Sequence, residues 1–165
     1  MGKSKEYVIT DQDRYFMKMA CSLASENVER GGGPFGAVIV KDGEVIATGC
    51  NSVTVDNDPT AHAEVNAIRH ACRITRSFKL DGCVIYSSCE PCPMCLSALY
   101  WAGVNRIYYA NTAADADSFN FSDEFIYQEI DKSHHERSIP CIRIEEPIAI
   151  DAFNKWEAKE DKIQY

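Results

Sequence analysis

The chain has 165 residues, of which 45% are hydrophobic and 25% charged, and these values are typical of one globular domain. The first residues lack the apolar segment of a signal peptide, and no apolar run approaches the roughly 20 residues of a membrane-spanning helix. The net charge of −8 argues against a nucleic-acid partner, because phosphate binding normally requires a basic surface. We therefore expect a cytoplasmic protein that acts on a small molecule and binds neither nucleic acid nor membrane.

Hydrophobic spacing predicts alternating helices and strands. The first helix covers residues 11–30 and ends at the run Gly31–Pro34. Strands over 35–40 and 45–50 form an antiparallel hairpin around an Asp42-Gly43 turn. The elements expected next are a helix over 61–74, a strand over 83–87, a helix over 94–102, a strand over 106–110, a helical or irregular stretch over 117–131, a strand over 141–144 and a helix over 147–159.

This order of elements predicts an α/β fold. The later strands are separated by helices, which favours parallel pairing with crossover connections, whereas the first hairpin is antiparallel. We expect a three-layer α/β/α sandwich with a mixed five-stranded sheet. Residues 1–165 are expected to form a single domain.

Two short segments carry residue types that bind metal, His62-Ala63-Glu64 and the run Pro91–Cys95. One imidazole and two thiolates, from Cys92 and Cys95, leave the fourth position of tetrahedral zinc open to water, as in catalytic sites. The H-x-E…P-C-x-x-C pattern is that of zinc deaminases that act on bases. We therefore predict one Zn²⁺ per subunit, held by His62, Cys92 and Cys95.

Helix capping does not explain Glu64. Thr60 is the expected N-cap of the helix over 61–74, and a capping box from Thr60 would place its carboxylate at position 63, which is an alanine. Glu64 is therefore free to move protons for a zinc-activated water. Cys89 could close a structural site as a fourth ligand, but it precedes the helix that carries the other two cysteines, so we expect three ligands and an open position.

These motifs resemble the cytidine deaminase-like superfamily and, within it, the bacterial guanine deaminases. The matching segments are Gly33–Val38, Asn57–Glu64, Ser88–Cys95, Phe125–Tyr127 and Tyr165. The resemblance implies a cytidine deaminase-like fold and the zinc-dependent hydrolysis of guanine to xanthine and ammonia, with a small-molecule purine base as substrate.

The resemblance also implies roles for residues around the base. Phe35 and Trp101 would line the pocket and stack, Asn51 and the backbone of Ala63 would bond to the purine edge, and Asp123 would assist proton transfer. The family commonly has Phe-Asp-Asp-x-Phe where this chain has Phe121-Ser122-Asp123-Glu124-Phe125, so the setting of Asp123 differs. Tyr165 would come from a C-terminal segment, about residues 140–165, that is exchanged between the subunits of a homodimer.

Other interpretations stay open at this point. The pocket of the superfamily can admit a ribose, which keeps guanosine deamination as an alternative. The segment Asp58–Glu64 is shared with tRNA adenosine deaminases, and cytosine deamination or a non-catalytic zinc-binding module are further alternatives. Phe35 and Trp101 could equally be packing residues, and Asn51 could be a turn residue.

Overall fold

The structure is a computed structural model that describes residues 7–165. The chain divides after Asp123 into two compact units. The first unit contains α1 (Asp11–Glu29), β1 (Gly36–Lys41), β2 (Glu44–Cys50), α2 (Val53–Asp56), α3 (Ala63–Thr75), β3 (Cys83–Cys89), α4 (Pro93–Ala102), β4 (Arg106–Asn111) and α5 (Ala113–Asp117). The second contains α6 (Glu124–Asp131), a 3₁₀ turn (Pro147–Ile150) and α7 (Asp151–Ala158).

The strands of the first unit form one sheet in the order β2-β1-β3-β4. β1 runs antiparallel to both β2 and β3, whereas β3 and β4 are parallel. Asp42 and Gly43, which join β1 to β2, have φ values of 50° and 81°, as the tight hairpin turn requires. The predicted mixed sheet and its first hairpin are confirmed.

Helices cover both faces of this sheet. Successive side chains of a strand point to opposite faces, so β1 contributes to two separate cores. Val38 and Val40 pack with Phe16 of α1 on one face. Ala37 and Ile39 pack on the other face with residues of α3 and α4. The first unit therefore has the predicted three layers.

The predicted fifth strand over residues 141–144 is wrong, because within residues 7–165 the sheet has four strands. The side chains of Ile142 and Ile144 are 83% and 86% exposed. The backbone N–H of Cys141 donates to the carbonyl oxygen of His134, which closes a local turn instead of a strand ladder. An alternating pattern gives a strand only where a sheet edge and a core are present to receive it. Across residues 7–165, no helix is both long and apolar enough to cross a membrane.

Candidate metal centre

The two metal-binding segments begin neighbouring helices. His62 is the N-cap of α3 and Cys92 the N-cap of α4, and both residues are extended, with ψ of 157° and 168°. Neither side chain makes an N-capping hydrogen bond. The prediction that Thr60 caps α3 is wrong, because its hydroxyl donates to Asp58 Oδ1 at 2.7 Å and the helix begins two residues later than expected.

The side chains of His62, Cys92 and Cys95 converge. Nδ1 of His62 lies 3.5 Å from the sulfur of each cysteine, and the three ligand atoms lie within 4.8 Å of one another. Tetrahedral zinc with ordinary Zn–N and Zn–S bonds places nitrogen and sulfur about 3.6 Å apart. The donor set and its spacing therefore fit zinc, and the three predicted ligands are brought together.

Cys89 is not a member of this group of candidate ligands among the described residues. Its sulfur is directed at the carbonyl oxygen of Thr112, 3.7 Å away. Burial raises the pKa of the Cys89 thiol to about 11, which disfavours the thiolate that zinc binds. The arrangement is consistent with three protein ligands.

Hydrogen bonds within the group shift the pKa values of its three members. A hydrogen bond from Cys95 lowers the pKa of Cys92 to about 4, and a hydrogen bond from His62 acts in the same direction. Because the thiol of Cys95 donates this hydrogen bond, its own pKa is raised. The bond to Cys92 raises the pKa of His62. Since a zinc ligand must be deprotonated, metal binding here would release protons.

Glu64 lies two residues after His62, in the first turn of α3, with 5% of its surface exposed. Its Oε1 atom accepts a hydrogen bond of 2.8 Å from the hydroxyl of Ser87 in β3. Burial raises the pKa of Glu64, which brings the carboxyl group nearer the range useful for proton transfer around neutral pH. Ser87 was not predicted from the sequence. The feature that could have identified it is a small polar residue within the buried part of β3.

Asn51, Phe35 and Ala63 lie near this end of the sheet. The backbone N–H of Asn51 donates to the carbonyl oxygen of Phe35 at 3.1 Å, and its side-chain Oδ1 accepts from the N–H of Val53 at 3.2 Å. Asn51 is buried, and the half-buried ring of Phe35 contacts Phe121 edge to face. Ala63 is the first residue of α3, where backbone N–H groups lack helical acceptors.

Three further residues were predicted around the base, Trp101, Asp123 and Tyr165. Trp101 follows Cys95 by six residues, about 9 Å along α4, and is 66% exposed. Asp123 is half-buried, and its charge contributes to the raised pKa of Cys89. Tyr165 belongs to the second unit, is 78% exposed and has its ring 6.3 Å from that of Trp156. The roles of these three residues stay predictions.

Comparison with known proteins points in the same direction as the geometry. Residues 10–111 match the family model for the cytidine and deoxycytidylate deaminase zinc-binding region. Guanine deaminase of Bacillus subtilis is 52% identical over 151 residues, which cover 91% of this chain and 97% of that protein. Its X-ray structure superposes with a TM-score of 0.91 at 49% identity, covering 95% of this chain and 99% of the other.

Two further relatives match a shorter part of the chain. The tRNA-specific adenosine deaminase of Aquifex aeolicus is 44% identical over 96 residues, which are 58% of this chain and 64% of that protein. A crystal structure that contains 8-azaguanine matches with a TM-score of 0.63 at 32% identity, over 66% of this chain and 63% of the other. From the zinc-binding signature and the near-complete match to the Bacillus subtilis protein, we conclude that the chain belongs to the cytidine and deoxycytidylate deaminase family and, within it, to the guanine deaminases.

Proposed function

We propose that this chain is a zinc-dependent guanine deaminase, which converts guanine and water to xanthine and ammonia. The observation that carries the proposal is the buried carboxylate of Glu64 beside the His62, Cys92 and Cys95 group. It occurs in a chain that is 52% identical to a guanine deaminase over 91% of its length. We infer one Zn²⁺ per subunit, held by those three residues.

Zinc bound by these residues would lower the pKa of water to near 7, so that a nucleophile is available at neutral pH. Glu64 accepts one proton from the attacking water and delivers it to a ring nitrogen as the oxygen bonds to C2 of guanine. The second proton of the water reaches the amino group through the same carboxylate, the bond from C2 to that nitrogen breaks, and ammonia leaves. The hydroxyl of Ser87 donates to one oxygen of Glu64 and so orients the carboxylate for these transfers.

The base is expected to bind between residues that the sequence already suggested. Phe35 offers a ring face, while Asn51 and the N–H of Ala63 offer hydrogen bonds to the purine edge. The relative whose structure contains 8-azaguanine, a purine analogue, supports this proposal. Trp101, Asp123 and Tyr165 complete the proposed set, with Asp123 assisting proton transfer.

We further infer a cytoplasmic homodimer in which the segment of about residues 140–165 is exchanged between subunits. Among residues 124–165, all of which the structure describes, no side chain is buried. Ile139, Ile142 and Ile144 are each more than 80% exposed. Exposed apolar surface of this kind is typical of an interaction site, and a second copy of the chain is the partner that the proposal names.

The test is ammonia release from guanine, guanosine, cytosine, cytidine, adenine and a tRNA anticodon stem-loop. We expect turnover of guanine alone, abolished by a chelator and restored by zinc. The tRNA arm is included because of the Aquifex aeolicus relative, although the net charge of −8 disfavours a polyanion. Turnover of tRNA or guanosine without turnover of guanine would contradict the proposal.

A further inference from the structure

Asn27 connects two loops that the proposed mechanism uses. It lies half-buried in the last turn of α1. Its Nδ2 group donates one hydrogen bond of 2.8 Å to the carbonyl oxygen of Gly33 and another of 2.7 Å to the carbonyl oxygen of Asn51. Because both amide hydrogens are used, Asn27 joins the segment before β1 to the end of β2.

The glycine run before β1 makes room for this connection. A Cβ atom at Gly32 would lie 2.3 Å from Nδ2 of Asn27 and 2.6 Å from the carbonyl oxygen of Asn51. A Cβ atom at Gly33 would lie 2.8 Å from Oδ1 of Asn51. The run was expected to end a helix, and in the structure it also lets two asparagine side chains pack against backbone.

Asn66 hydrogen-bonds to the two residues that flank Asn51. Its Nδ2 group donates to the carbonyl oxygen of Cys50 at 2.8 Å and to the hydroxyl of Ser52 at 3.0 Å, the residues on either side of Asn51. Asn66 lies in α3, and its backbone N–H donates to the carbonyl oxygen of the ligand His62 at 2.9 Å. One side chain therefore connects the helix that begins at the metal centre to the segment that carries Asn51.

We propose that Asn27 and Asn66, which we call the asparagine clamp, are positioning residues that hold Asn51 and Phe35 in register with the metal ligands. The inference rests on the proposed function, since it takes Asn51 and Phe35 as contacts of the purine. A site that is rigid before the substrate arrives avoids the entropic cost of ordering on binding. The clamp therefore acts mainly on substrate affinity.

Anchoring α1 to the sheet does not require Asn27. The apolar face of the helix already does so, with Phe16, Ala20 and Ala24 buried. The amide of Asn27 instead donates to two backbone carbonyl oxygens outside the helix, so its loss is expected to affect the loops that contain them.

The first test is Asn27→Ala, which removes both donated hydrogen bonds. We expect the KM for guanine to rise about tenfold, with kcat within about threefold of wild type, as for loss of binding that is uniform along the reaction. Zinc content should be unchanged. A wild-type KM in this variant would overturn the proposal.

The matched control is Ser77→Ala, in the turn after α3. It also removes two hydrogen bonds, which connect the hydroxyl of Ser77 to the carbonyl oxygen and the N–H of Lys79. This turn lies at the opposite end of α3 from His62. We expect Ser77→Ala to lower Tm but to leave KM unchanged, and an equal rise in KM in both variants would overturn the proposal.

A second pair of variants serves if Asn27→Ala does not fold. Asn66→Gln keeps an amide donor on a side chain one methylene longer, whereas Asn66→Leu has nearly the size of asparagine but cannot donate to the carbonyl oxygen of Cys50. We expect the KM of the Gln variant to lie near that of wild type and that of the Leu variant to be several-fold higher. Equal KM values with an active wild type would overturn the clamp alone, whereas a wild-type chain without guanine turnover would refute the proposed function.

Discussion

The carboxyl group of Glu64 can be separated experimentally from the zinc site beside it. Glu64→Gln keeps the size of the side chain and an oxygen that can accept from Ser87, but the amide cannot carry a proton from water to the base. We expect kcat to fall by about 10²–10⁴-fold, the usual contribution of general acid–base catalysis. Zinc content, measured by metal analysis after gel filtration, should equal that of wild type. Near-normal turnover in a zinc-loaded variant would contradict the assigned role.

The residues that can be predicted from sequence are those whose chemistry limits the residue type. Few side chains bind zinc, so His62, Cys92 and Cys95 were identified from two short segments. Ser87 and the asparagine clamp were missed, because four of their five hydrogen bonds described above join residues 14 to 24 positions apart along the chain and many polar residues could serve. Thr60 was misassigned as an N-cap because residue preference alone cannot show that Asp58 already holds its hydroxyl.

At the level of elements, the position of α3 depends on a glycine in β2. A Cβ atom at Gly49 would lie 2.2 Å from the carbonyl oxygen of Ala63 and 2.4 Å from the backbone nitrogen of Ala67, so Gly49→Ala must push α3 away from the sheet. Overpacking of this kind typically costs about 1–3 kcal/mol of unfolding free energy. Because α3 carries His62 and Glu64, we expect lower stability together with weaker zinc affinity.

Gly36→Ala is the matched control for this prediction. The added Cβ would lie 2.5 Å from the carbonyl oxygen of Ala20, so it displaces α1 on the opposite face of the sheet. We expect a comparable loss of stability in urea denaturation, with zinc affinity unchanged in a competition titration against a chelator. Equal zinc affinities in the Gly36→Ala and Gly49→Ala variants would show that the close approach of α3 does not position the ligands.

Elements with a strong local signal were predicted well, and the rest were not. The hairpin of β1 and β2 follows from Asp42-Gly43 between apolar runs, and α1 from helical spacing of apolar residues. Residues 141–144 show similar alternation but no described partner strand, because alternation records which side chains could be buried and not whether a neighbour exists. Whether residues 141–144 form a strand therefore cannot be predicted from the sequence of this segment alone.

At the level of the whole molecule, the second unit is the part whose stability is hardest to explain from a single copy of the chain. It has 42 residues, Glu124–Tyr165, and domains of about this size rarely bury enough surface to be stable alone. Most of its large apolar side chains are exposed, including Phe153, Ile148 and Ile163. The length of the chain predicted one domain. Length alone cannot show whether apolar residues are covered by the same chain or by a second copy.

Exchange of the C-terminal segment predicts complementation between two defective chains. If Tyr165 of one subunit completes the site that contains Glu64 of the other, a mixed dimer of Glu64→Gln and Tyr165→Ala has one site with both defects and one with neither. Random reassociation of equal amounts should then restore roughly a quarter of wild-type activity from two variants that are each strongly impaired. The measurement is guanine turnover after the variants are mixed, dissociated and reassociated, with each variant treated alone as the control. If each subunit uses its own Tyr165, every site keeps one defect, and activity no greater than the mean of the two variants would contradict the exchange.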